Sequence, residues 1–196
     1  MFHDMTDAVR DGMRYLEALD AEQRRLGLPA VERLCAIPHD TGRFLAVLAA
    51  SAPKGAVLEV GTSAGYSGLW LALACAQRGQ KLTTFELREH KVKLARETFE
   101  AAGVASLIDI VVGDAKEALP RYKDVAFCFL DTLDQEYIRC YETILPNMVP
   151  GGLIVTDNII SHKEHCEAYA AHVLADPRVD ALVVPIGKGE LVCRKI

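Results

Sequence analysis

No stretch of this chain approaches the roughly 18–20 consecutive apolar residues that span a bilayer. The opening segment MFHDMTDAVRDG mixes charges and holds no apolar core, so it does not read as a signal peptide, and a cytoplasmic location is expected. Surplus positive charge is missing too. Lys and Arg number 22 against 27 Asp and Glu, a net charge of −5, which argues against a nucleic-acid backbone as partner. The six cysteines (35, 75, 128, 140, 166 and 193) contain no CxxC pair. They read as reduced, mostly buried small hydrophobes, with zinc disfavoured. Repeats, low-complexity runs and linkers are absent. What remains is a composition of 51% hydrophobic and 25% charged residues over 196 positions, enough for one domain with a substantial core.

The hydrophobic pattern divides that expected domain (1–196) into amino-terminal helices over 1–50 and an α/β core over 56–196. DAVRDGMRYLEALDAEQRRL reads as a helix stopped by Gly27 and Pro29. A short helix is expected next, then a third carrying RFLAVLAAS, capped by Asp40 or Thr41. From residue 56 strands and helices alternate. AVLEV (56–60), KLTTFE (81–86), LIDIVV (107–112), VAFCFL (125–130) and GLIVTD (152–157) are short apolar runs separated by helical stretches. Near-continuous apolar strands in a βαβ rhythm indicate a parallel sheet covered on both faces. The closing ALVVPIGKGELVCRK is two β runs about a GKG turn, hence an antiparallel hairpin. The fold class expected is a doubly wound, mostly parallel α/β sheet with that hairpin at its end.

Open sheets of this kind bind ligands beyond the carboxyl ends of their strands. Those ends here are Glu59–Gly65, Glu86, Gly113–Asp114, Asp131 and Asp157–Asn158, nearly all acidic or glycine-rich. VLEVGTSAGYSG (57–68) runs from strand to glycine loop to helix, and its glycines allow a ligand close to the backbone. Its Gly61 and Gly65 stand in G-x-x-x-G spacing, which is neither the dinucleotide GxGxxG nor a P-loop. Glu59 sits inside the strand end and needs a cationic or hydrogen-bonding partner. Glu86 follows the glycine loop by about 20 residues, where an acid accepts ribose hydroxyls. Asp114, in VVGDA, sits where a third strand ends and could help place an adenine ring, although GD is also a common turn pair.

Asp131, Asp157 and Asn158 offer two carboxylates and an amide, a hard oxygen set suited to Mg²⁺. SHKE (161–164) reads as a capping box for the helix that follows, leaving Asp157–Asn158 free for that work. His162, His165 and Cys166 share a helical face, but no fourth zinc ligand accompanies them. His162, four residues past Asn158, is a candidate acid/base or substrate contact.

Together these segments, with FELREHKVKLARETFEAAGV and ILPNMVPGGLIVTDNII, resemble the cation-dependent class I O-methyltransferases of the caffeoyl-CoA and catechol type, including their small bacterial members. The resemblance covers about residue 37 to the C-terminus and implies a seven-stranded Rossmann-like sheet and a homodimer. It implies S-adenosylmethionine as cofactor. Gly61, Thr62, Ser63 and Gly65 would line the methionyl moiety, with Glu59, Tyr66 and Ser67 near its polar groups. Glu86 would hold the ribose, and Asp114 with Ala115 would flank the adenine. Asp131, Asp157 and Asn158 would bind a divalent cation, with Mg²⁺ as the expected species and Asp131 also close to the cofactor's amino end. The acceptor implied is a small hydroxylated, catechol-like molecule.

One segment departs from the family pattern. Relatives commonly read DADK after the fourth strand, whereas residues 131–134 read DTLD, so Leu133 replaces the second acid and Asp134 stands at the lysine position. The stretch between Asn158 and the hairpin is also shorter than usual. Three alternatives accordingly stand beside the main reading: a class I methyltransferase that needs no metal, a non-catalytic binder of S-adenosylmethionine, and, least supported, an NAD-dependent enzyme.

Overall fold

The computed structural model describes residues 1–196. Two helices, α1 (Asp7–Arg25) and α2 (His39–Ser51), precede an alternation of β1 (Ala56–Val60), α3 (Tyr66–Arg78), β2 (Leu82–Glu86), α4 (Glu89–Ala101), β3 (Ile108–Val112), α5 (Ala115–Ala118), β4 (Val125–Leu130), α6 (Tyr137–Ile144), β5 (Met148–Thr156) and α7 (Lys163–Leu174). The chain ends in β6 (Val179–Val184) and β7 (Glu190–Lys195). The seven strands form one sheet in the order β3-β2-β1-β4-β5-β7-β6, parallel except for the β5–β7 and β7–β6 pairs. This is the doubly wound α/β fold with a terminal antiparallel hairpin. None of its helices is long and apolar enough to cross a membrane.

The middle of the sheet shows why its strands read as unbroken apolar runs. All six residues of β4 are buried, with Phe127 and Phe129 pointing into one core and Cys128 and Leu130 into the other. The first core gathers Val9, Met13 and Leu16 of α1, Leu45 and Ala49 of α2, Leu69 of α3 and Phe99 of α4. The second gathers Tyr137 and Tyr141 of α6 with Tyr169 and Val173 of α7.

Four local expectations are corrected. The short helix after α1 is only a turn, in which Glu32 and Arg33 donate back to Pro29 and Ala30. Helix α2 begins at His39 with Pro38 at its N-cap and no side-chain cap. Thr41 instead is fully buried and donates to Glu190 Oε1 at 3.4 Å. The capping box at 161–164 does not form either. His162 is the N-cap of α7 and makes no capping bond, because the Ser161 backbone is held by the C-terminal hairpin through Lys188 O at 3.0 Å. Strand β5 starts four residues earlier than its apolar run. Met148 pairs with Val125 and Leu153 with Phe127, so the irregular register absorbs the intervening Pro150 and glycines.

Register also positions the functional residues. Val60 pairs with Leu130, and Leu130 with Thr156, so the residues that follow each strand emerge side by side. Backbone bonds continue the alignment, with Asp131 N–H donating to Val60 O at 2.9 Å and Asp157 N–H to Leu130 O at 3.1 Å. The antiparallel pairing of Thr156 with Leu191 then sets Glu190 across from Asp157.

Candidate functional site

The glycine loop leaves β1 in a conformation that side chains oppose. Gly61 has φ 108°, and a Cβ there would meet the carbonyl oxygen of Asp131 at 2.0 Å. Its N–H and that of Thr62 donate to Phe85 O at 3.0 and 3.2 Å, which fastens the loop to the end of β2. Gly65, at φ 90°, lies over the Phe99 ring. Ser63 is also left-handed (φ 47°), and its hydroxyl donates to Leu34 O at 2.6 Å. The segment Leu34–Ile37 thereby closes one side of a cleft whose other walls are Gly61, Thr62, Tyr66, Ser67 and Asp131.

Glu86, at the end of β2, is held on both oxygens: Ser63 N–H donates to Oε2 at 2.8 Å and Arg88 N–H to Oε1 at 3.0 Å. Two backbone donors fix the carboxylate beside the loop, while each oxygen keeps a further lone pair for a ligand hydroxyl. Lys91 reaches Ser63 Oγ at 3.2 Å on the same side. Glu59 is fully buried, and Thr84 Oγ1 donates to its Oε2 at 2.6 Å. Its Oε1 has no partner. Burial pushes the carboxyl up to about 7, against the lowering effect of the Ser67 and Thr84 hydroxyls. Tyr66 lines the cleft with its ring, while its hydroxyl donates to Glu17 of α1. Asp114 caps α5 by accepting from Lys116 N–H at 2.9 Å, and Ala115 packs against the second core.

The second cluster begins where the first ends. Asn158 Nδ2 donates to Asp131 Oδ1 at 3.1 Å, and Asn158 N–H donates to Asp157 Oδ1 at 2.7 Å. Asn158 takes φ 70°, a left-handed conformation that turns the chain sharply after Asp157. Asp157 is fully buried, and its Oδ2 accepts no hydrogen bond. Burial, reinforced by the neighbouring Asp157 charge, raises the Asp131 carboxyl above its ordinary range.

Glu190 is one of the residues that sequence reasoning missed. It is fully buried at the start of β7, with Oε2 unpartnered. Burial and the Asp157 charge hold its carboxyl well above the usual carboxylate range. The signal was the one that drew attention to Glu59, an acid embedded in an apolar strand. Lys188, on the GKG turn, was missed as well; its Nζ stands 3.8 Å from Asp157 Oδ2.

The donor set suits a hard divalent ion. Asp157 Oδ2 has no amide, hydroxyl or ammonium within hydrogen-bond distance. Apart from the Asn158 N–H on Oδ1, the carboxylate shares a hydrogen bond only with the raised Glu190 carboxyl, which leaves its charge for a cation to compensate. Asp131 and Asp157 bring anionic oxygens, and a turn of the Asn158 amide would present Oδ1 in place of Nδ2. The His162, His165 and Cys166 trio does not assemble as a zinc site. Only Glu142, His172 and Asp176 bring three His, Cys, Asp or Glu ligand atoms within 4.8 Å of one another. Arg178 already bonds both acids of that group, at 2.8 Å to Glu142 and 2.9 Å to Asp176, which makes it an ion-pair network. His162 pairs instead with Asp134, its Nδ1 lying 3.2 Å from Oδ2.

Comparison with known proteins identifies the family and the fold. The O-methyltransferase family profile matches residues 13–196. A catechol O-methyltransferase of Mycobacterium tuberculosis is 32% identical over 127 residues, covering 64% of this chain and 57% of that protein. Caffeoyl-CoA O-methyltransferase 1 of Arabidopsis thaliana is 28% identical over 182 residues, covering 80% and 70%. The chain thus spans about three fifths of the length of the catechol enzymes it matches. Among solved structures, an O-methyltransferase from Bacillus cereus in complex with SAH has a TM-score of 0.79 at 23% identity, covering 95% of this chain and 91% of that one. TomG from Streptomyces achromogenes, in complex with SAM, has a TM-score of 0.77 at 23% identity, with 97% and 90% covered. At that identity the two structures speak for the fold alone. The chain belongs to the O-methyltransferase family.

Proposed function

We propose that this protein transfers a methyl group from S-adenosylmethionine to a hydroxyl of a small catechol-like acceptor, assisted by a divalent cation such as Mg²⁺. One observation carries the reading. Asp131 belongs to both clusters at once: its backbone carbonyl seats Gly61 of the glycine loop, and its carboxylate accepts from Asn158 of the oxygen set. A cofactor along the loop and an acceptor held by the oxygens would therefore meet at one residue.

The residues divide the work. Glu86, pinned by two backbone donors, would accept from the ribose hydroxyls. Gly61 to Gly65 would let the methionyl chain lie against bare backbone, with Glu59, Ser67 and Asp131 near its charged end. Asp131, Asp157 and Asn158 would hold the cation, which supplies a lowered acceptor pKa and a fixed nucleophilic oxygen when bound. Alignment is then the protein's main contribution, since the methyl moves by in-line displacement. With Nδ1–H donating to Asp134, His162 would keep Nε2 as a proton acceptor and so serve as a candidate base, although Asp134 stands where relatives carry lysine.

A second reading, transfer without a divalent ion, is favoured by a single observation, the Lys188 ammonium beside Asp157. Methyl transfer to a panel of catechols, measured with Mg²⁺ and with EDTA, separates the two. The main reading expects turnover that needs both S-adenosylmethionine and Mg²⁺, and at least a tenfold loss in EDTA, on the order of what a metal's Lewis acidity supplies. Undiminished turnover in EDTA would establish the second reading.

A further inference from the structure

The GKG turn between β6 and β7 is built against the oxygen cluster. Ile160 and Ser161 donate to Lys188 O at 3.1 and 3.0 Å, and Ile159 donates to Gly189 O at 3.0 Å, so three backbone bonds tie the turn to the segment after Asn158. Its two glycines are required by closeness as well as by their φ of 57° and 93°. A Cβ at Gly187 would meet Thr41 Oγ1 at 2.0 Å, and one at Gly189 would meet Ile160 Cγ1 at 2.3 Å. The turn is thus wedged between Thr41 and Ile160, and Lys188 carries its only side chain between those glycines.

That side chain runs to the buried acids. Lys188 Nζ lies 3.8 Å from Asp157 Oδ2, the oxygen with no hydrogen-bond donor. No other lysine or arginine nitrogen comes within 4.0 Å of a carboxylate oxygen of Asp131, Asp157 or Glu190. A distance of 3.8 Å exceeds that of a charge-assisted hydrogen bond, about 2.7–2.9 Å. The contact is an attraction between charges rather than a locked bond. The lysine side chain is 25% exposed, and its flexible four-carbon stem leaves it a route to solvent.

We propose that the Lys188 ammonium is a tethered counter-ion for Asp157, which must swing away from that carboxylate before a divalent ion can take the same oxygen. The inference rests on the reading of Asp131, Asp157 and Asn158 as a cation site. It makes Lys188 a competitor that sets cation affinity, supplied by the chain itself from the GKG turn.

Mn²⁺ titration followed by electron paramagnetic resonance tests this on the full-length protein and on Lys188→Gln and Lys188→Arg. Removing a unit charge about 4 Å away is worth several kcal/mol even at a screened dielectric, so Lys188→Gln is expected to tighten Mn²⁺ binding at least about tenfold. Lys188→Arg, which keeps the charge, should stay within about threefold of the parent. Equal or weaker Mn²⁺ binding by Lys188→Gln, or equal tightening by both variants, overturns the proposal while leaving the cation site standing. Absence of Mn²⁺ binding in all three proteins overturns both. Mn²⁺ binding by Lys188→Gln alone supports the proposal in its strongest form. A second readout needs no substitution. Mass spectrometry of the unmodified sequence after a pulse of amine-acylating reagent should show Lys188 labelled faster when Mg²⁺ is added, and an unchanged or slower rate overturns the proposal.

Discussion

Asp157→Ala is expected to lower Mg²⁺-stimulated methyl transfer by about a thousandfold, the scale of removing one preorganised electrostatic stabiliser, while S-adenosylmethionine affinity stays within about twofold. Asp157 follows β5 and has its unpartnered Oδ2 among the acids, whereas the glycine loop and Glu86 sit across β1 and β2. Its loss would therefore remove a proposed cation ligand and leave the proposed cofactor cleft in place. The fold should survive, because Asp157 adds to the charge that raises Asp131 and Glu190. Deleting one of several crowded buried acids relieves repulsion, which offsets the loss of the Asn158 N–H bond and of the Lys188 contact. Turnover at several Mg²⁺ concentrations, with calorimetry for the cofactor, checks both halves. An equal Mg²⁺ response in variant and parent removes Asp157 from the cation site.

Gly61→Ala is expected to destabilise the protein by about 2–4 kcal/mol, combining a disfavoured φ with a backbone collision. The added Cβ would meet Asp131 O at 2.0 Å, and neither atom is the far end of a flexible side chain. To make room, β1 and β4 would part at the point where both clusters join. Cofactor affinity should fall, and methyl transfer should drop at least about a hundredfold, as rates do when reacting groups are misplaced by about 1 Å. Gly103→Ala provides the control. That glycine also has positive φ (70°), but nothing lies within 4 Å of its would-be Cβ. It should cost only about 1–2 kcal/mol, the left-handed penalty itself, and leave cofactor affinity intact. Urea denaturation and calorimetry on both variants give the comparison, and equal behaviour of the two would contradict the close-approach role of Gly61.

These two residues were visible in the sequence because each lies at the end of a locally recognisable strand. AVLEV before Gly61 and GLIVTD before Asn158 carry their own apolar signal, and parallel order then brings the ends together. Even the error in the start of β5 left its carboxyl end correct to one residue, and that end bears the chemistry. Glu190, Lys188 and Thr41 were not legible in the same way. The meeting of Glu190 and Lys188 with Asp157 depends on β7 entering the sheet beside β5 with Thr156 opposite Leu191, a long-range register that hairpin spacing does not disclose. Thr41 looked like a helix cap and is a buried partner of Glu190, 149 residues away. The capping box at 161–164 failed for a related reason, since the hairpin turn competes for the backbone that the box would have organised. His162 was placed at the mouth of the site by its spacing from Asn158 alone. Its pairing with Asp134 required knowing that α7 starts beside the turn that precedes α6.

The central claim is that one site at the strand ends holds cofactor and cation together, joined at Asp131. A crystal structure of the protein with S-adenosylhomocysteine and Mn²⁺, phased to show anomalous scattering, tests it most directly. A Mn²⁺ peak is expected with oxygens of Asp131, Asp157 and Asn158 at roughly 2.0–2.6 Å, and ribose hydroxyls within hydrogen-bond distance of Glu86. A well-ordered cofactor in the cleft with no Mn²⁺ at those oxygens, or a cofactor bound away from Gly61 and Glu86, would contradict it.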